Sequence, residues 1–202
     1  EDPMKRFQAA AAMASAAAVV TMLGSPAAEA HGLAQGGVAN GFLHPLLGLD
    51  HLAMLVAAGA AAALINPLLL GWSLAGALVG GWFGCQGISL PAAEVLAALA
   101  IAATGAVILL WQRQGQGATG RLWLNSCGVV LASGLAVHAL LHGLEAPQGS
   151  GIAGWWLGAG MSSAAIALGA FWSVRRLPAA SIRPLALGLV LTGAALALVP
   201  LA

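Results

Sequence analysis

The chain has 202 residues, 60% of them hydrophobic and 6% charged, with a mean hydropathy of +0.93 and a formal net charge of +1. Soluble domains carry about 25% charged residues, so too few polar side chains are present here to coat a water-facing surface. The small net charge and the lack of a basic patch give no footing for a nucleic-acid partner, and no stretch follows the phosphate-cradling G-x4-G-K-S/T pattern.

The fold class this composition predicts is all-α: a polytopic transmembrane helix bundle in a lipid bilayer. Residues 1–3, Glu1-Asp2-Pro3, read as a cloning scar ahead of Met4. Residues 4–30 read as a cleavable signal peptide: Lys5-Arg6, an apolar run from Ala9 to Leu23, and Ala28-Glu29-Ala30 before His31. Residues 31–202 form the transmembrane domain, with six apolar segments at about 45–65, 67–85, 92–112, 121–142, 152–174 and 182–201. In the first, Pro45 suits the first helical position, with His44 as N-cap and Asp50-His51 in the second turn. Pro67, Pro91 and Pro184 are expected at helix starts for the same reason. The second span carries Gly76, Gly80 and Gly84, a packing stripe, and Gly154 and Gly158 repeat the spacing in the fifth.

Charge sets the direction. The seven Lys and Arg are Lys5, Arg6, Arg113, Arg121, Arg175, Arg176 and Arg183. Placing the signal's basic start in the cytoplasm puts all of them inside, which leaves the mature N-terminus and the C-terminus outside. His31, His44, Asp50, His51, Glu94, His138, His142 and Glu145 then gather toward the exterior, with no basic residue to pair them. The expected location is the bacterial inner membrane, with a metal site facing the periplasm.

Two motifs stand out, HPLLGLDH and HALLHGLE. In the second, His138 and His142 are i, i+4 and Glu145 is i+3 from His142, so one helix face presents all three. Two histidines at that spacing can grip one ion. Imidazole with carboxylate suits a borderline divalent metal: Ni, Co, Zn, Fe or Cu. The proposed ligands are His44, Asp50, His51, His138, His142 and Glu145, with His31, Met54, Cys85 and Glu94 as auxiliary candidates. The bound dication offsets the carboxylate charge, and the carboxylate counters the positive end of the first span's dipole. Cys85 and Cys127 sit at different depths, which argues against a disulfide between them.

These residues resemble the HupE/UreJ family of small membrane proteins associated with hydrogenase and urease gene clusters. The family's H-x5-D-H is His44 to His51, and its second motif aligns with Val137 to Glu145. His138, His142 and Glu145 keep the pattern, while Val137, Ala139 and Leu141 depart from it. The resemblance implies secondary uptake of Ni2+ as transported substrate, with Co2+ or Zn2+ as alternatives, and no organic cofactor. It also implies a functional link to hydrogenase, urease or another nickel enzyme, and release aided by protonation of the imidazoles or Asp50. The residues alone leave room for a membrane-embedded metal hydrolase, a haem protein, or a metal sensor that does not transport. A monomer and a homo-oligomer are both compatible with this sequence.

Overall fold

The structure, a computed structural model, describes residues 36–114, 120–147 and 149–199. The expected scar, the expected signal peptide and His31 lie outside the described residues. Within them the chain forms seven helices and no strand: α1 (Val38–Leu47), α2 (Leu49–Leu64), α3 (Leu68–Cys85), α4 (Ala93–Gln114), α5 (Arg121–Glu145), α6 (Ile152–Val174) and α7 (Ala179–Leu198). Helices α3 to α7 are each long and apolar enough to cross a bilayer, and α1 with α2 makes a sixth crossing if the bent pair is one span.

That bent pair corrects the first expected span. Residues 45–65 are not one helix begun by Pro45. Pro45 lies buried inside α1, His44 is in the last turn of α1 rather than an N-cap, and α2 starts only at Leu49. Asp50 therefore sits in the first turn of α2. The two axes meet at 81°. The cause is local. Pro45 removes one helical hydrogen bond, and Gly48 adopts an extended backbone that ends α1 and then accepts the Leu52 N–H as α2 begins. Pro184 departs from expectation too: α7 begins at Ala179, so this proline lies inside the helix.

Glycine decides how closely the helices pack. On α3, Gly76, Gly80 and Gly84 lie against the Ala132, Ala136 and Leu140 carbonyls of α5, where an added methyl would overlap backbone. Leu74, Leu78 and Trp82 point the other way and are exposed. One face thus packs and the opposite face meets lipid. Gly41 of α1 abuts Trp155 of α6, and Gly158 of α6 abuts the Val38 carbonyl. Gly105 and Gly193 seat α4 against α7.

Helix α2 is central and touches every other helix. Ala57, Ala58, Ala60, Ala61 and Ala62 are all buried, since small side chains let neighbours approach from every side. The contact registers also fix direction. Gly76 to Gly84 on α3 track Ala132 to Leu140 on α5, so these two run parallel, whereas Gly105 meets Ala186 and Gly193 meets Ala98, so α4 and α7 run antiparallel. Helices α2 to α7 alternate up and down. The start of α2 and the end of α5 share one end of the bundle, and Arg113, Arg121, Arg175, Arg176 and Arg183 stand at the other.

Candidate metal centre

Three histidines meet at one point, and a fourth, His138, stands beside them. The break at Gly48 turns His44, at the end of α1, back toward His51, at the start of α2. In a continuous helix residues seven apart are about 10 Å apart along the axis. Here His44 Nε2 lies 3.2 Å from His51 Nε2. His142, on the last turns of α5, closes the group: its Nδ1 lies 3.0 Å from His44 Nε2 and 3.3 Å from His51 Nε2.

This triangle has the dimensions of a metal site. Nitrogens bound at about 2.05 Å to one ion stand about 2.9 Å apart at right angles and about 3.3 Å apart at tetrahedral angles. All three edges fall inside that interval. Asp50 fixes the ring that matters most. Its Oδ1 is 2.7 Å from His51 Nδ1. An ionised carboxylate only accepts, so Nδ1 carries the proton and Nε2 presents its lone pair to the triangle. A carboxylate behind a ligating imidazole is the usual way to hold a metal-binding tautomer.

His138 lies one turn before His142 on α5 and does not join this triangle. It is 5% exposed, and neither ring nitrogen has a hydrogen-bond partner among the described residues. Buried polar atoms are seldom left so. Its ring stands edge-on to His51 and to His142. Asp50, His51 and His138 form a second group whose ligand atoms lie within 4.8 Å of one another. The i, i+4 pair expected to act together keeps its rings adjacent, with centroids 4.8 Å apart, while each histidine falls in a different donor group that includes His51. Glu145 Oε2 lies 4.0 Å from His142 Nδ1, outside the triangle but beside it.

A family profile described as HupE / UreJ protein matches residues 12–199. The chain belongs to the HupE/UreJ family. Among its relatives, Protein HupE of Rhizobium leguminosarum bv. viciae is 30% identical over 137 residues, covering 65% of this chain and 67% of that one. No solved structure matches. With its set of long apolar helices, this HupE/UreJ chain is a multi-pass membrane protein.

The auxiliary candidates fare differently in this HupE/UreJ chain. Cys85 and Glu94 are exposed at the same end of the bundle but belong to neither donor group. Met54 is fully buried and packs toward Gly134 of α5.

Two residues that shape the centre escaped the sequence reading. A side chain on Gly48 would overlap the His51 ring. Trp155 of α6 is buried and lies against His44, with ring centroids 5.0 Å apart. The pairing of Pro45 with Gly48 three residues later was the available signal for a break. Nothing in the sequence announced Trp155.

Proposed function

We propose that the chain is a secondary permease for Ni2+, with Co2+ as a competing substrate, and not an enzyme. The observation that carries this is the triangle of three imidazole nitrogens at the spacing one borderline dication needs. Nickel comes from the family, whose members are regarded as nickel or cobalt transporters. The reading has the chain in the bacterial inner membrane with six spans, the bent α1–α2 pair being one. The signal peptide is removed and the histidine end faces the periplasm. The grouping of every described Arg at the other end supports that orientation.

In this mechanism the carboxylates of Asp50, Glu94 and Glu145, which share the histidine end of the bundle, draw the cation in. His44, His51 and His142 replace part of its water shell. Glu145 supplies an oxygen as the fourth donor, directly or through water. At the other end of α2, Ala63, Leu64, Ile65, Trp111, Val174, Arg175, Leu177 and Ile182 line an open depression of about 440 Å3, and this reading has the ion leave through it. Between the two lies a closed layer that includes the alanines of α2 and buried Ile101, Ile108 and Leu131. The ion crosses when α2 shifts against its neighbours.

Uptake of 63Ni2+ into proteoliposomes tests this reading. Saturable uptake that Co2+ inhibits and that His51→Ala abolishes is expected. Uptake no faster than in protein-free liposomes would contradict it. The three-imidazole donor set favours one second reading, a metal hydrolase with a bound water as fourth ligand. Hydrolytic turnover of ester or amide probes by the Zn2+-loaded protein, without ion uptake, would select that reading instead.

A further inference from the structure

The geometry points to two alternative positions for a single ion, on opposite edges of the His51 ring, with His51 as the ligand common to both. This deepens the permease reading, on which it rests for its role in transport. The first position is the triangle of His44 Nε2, His51 Nε2 and His142 Nδ1. The second is formed by Asp50, His51 and His138. His51 Nε2 faces the first, while Nδ1 faces Asp50. The two ring nitrogens point away from each other, so no one ion takes both.

A neutral imidazole has one lone pair. With an ion in the triangle, Nδ1 keeps its proton and donates it to Asp50. For an ion to sit between Asp50 and His51, that proton must leave Nδ1, and Nε2 must take one up. The exchange runs through water and leaves the ring with one proton as before. Asp50 then turns from hydrogen-bond acceptor to ligand. The two positions therefore exclude each other, and the ion steps between them by switching edges of His51.

His138 is the independent sign that the second position receives a ligand. It is a buried imidazole with no hydrogen-bond partner at either nitrogen among the described residues, and it stands edge-on to His51. It lies about 6 Å further from the histidine end along α5 than His142 does, by the rise of four helical residues. The step thus exchanges His142 for a donor one turn nearer the middle of the bundle, while Asp50 at the start of α2 holds the other side. The triangle has all three edges at ligand spacing, whereas in the second group Asp50 and His51 hold each other in a hydrogen bond that an ion there must replace. Binding therefore starts at the triangle.

Co2+ titration of the full-length protein in detergent, read by visible absorption and equilibrium dialysis, tests this together with 63Ni2+ uptake. Wild type is expected to saturate at one Co2+ per chain, and two per chain would overturn the exclusion. His142→Ala should still bind one Co2+, about 10–100-fold more weakly and with an altered spectrum, because only the Asp50 position remains. His138→Ala should keep the wild-type spectrum, with Kd within about threefold, while uptake falls by about tenfold or more. His138→Gln, which preserves most of the side-chain volume, should repeat that result if the alanine variant folds poorly. The proposal is overturned if the His138 variants lose binding as fully as His142→Ala, or keep both binding and uptake. A wild type that binds Co2+ without any uptake overturns the permease reading, and the variant spectra still decide this one. A wild type that binds no metal overturns both.

Discussion

HPLLGLDH and HALLHGLE read almost alike, yet the molecule folds them in opposite ways to build one centre. The second is continuous helix, so His138 and His142 stand one turn apart on the same face of α5. The first is broken at Gly48 by 81°, and the break brings His44 and His51, seven residues apart, to within 3.2 Å. A regular helix spaces donors by its pitch and can offer an ion two of them. A broken one places a donor from each side of the break, and helix α5 then supplies the third. The difference also assigns different work to the glycine in each motif. Gly48 makes room for a ligand ring, while Gly143 makes room for the backbone of α3.

Removing the residue that the two groups share should have the largest effect. His51→Ala is expected to reduce Ni2+ uptake by about 100-fold or more, since neither group retains its common donor. Initial rates in proteoliposomes would show it, and a residual rate above a tenth of wild type would mean the other imidazoles suffice.

The two glycines give the sharpest contrast. Gly48→Ala should push the His51 ring out of the triangle and weaken Ni2+ binding by about 10–100-fold, with thermal unfolding nearly unchanged. Gly143→Ala should do the reverse, costing about 1–3 kcal/mol of stability through the α3–α5 contact while affinity changes little. Calorimetric titration beside thermal unfolding separates the two, and equal losses in both quantities for both variants would erase the distinction.

Asp50→Asn tests whether the carboxylate orients His51. The amide can accept the same Nδ1–H but lacks the charge, so affinity should drop by about tenfold. Smallest is Trp155→Leu, expected to weaken binding by about threefold by loosening His44. Tryptophan emission should also cease to report metal addition in that variant, as the ring beside His44 is gone.

Much of this centre was legible before any coordinates. Asp50, His51, His138, His142 and Glu145 stand in apolar segments at one end, where the desolvation cost of ionisable groups pointed to a cation site. Five long helices followed from apolar runs whose bounds hold to within a few residues. The break escaped because leucines continue on both sides of Gly48, and an apolar run does not reveal a change of axis. Pro45 was read as a start because its missing N–H is harmless there, but α1 already extends back to Val38 and buries it. The division of His138 from His142 was beyond reach for another reason. Helical spacing says which side chains share a face, while the neighbouring helix decides which nitrogen each one meets. Trp155 lies more than 100 residues from His44 in the chain, and only the docking of α1 on α6 brings them together.

The central claim is that the break at Gly48 builds a three-imidazole site for a divalent metal. X-ray absorption of the full-length protein loaded with one equivalent of Ni2+ tests it most directly. The account predicts three imidazole nitrogens in the first coordination sphere, at about 2.1 Å, and loss of one of them in His44→Ala. A sphere made of oxygen alone, or one unchanged by His44→Ala, would contradict it.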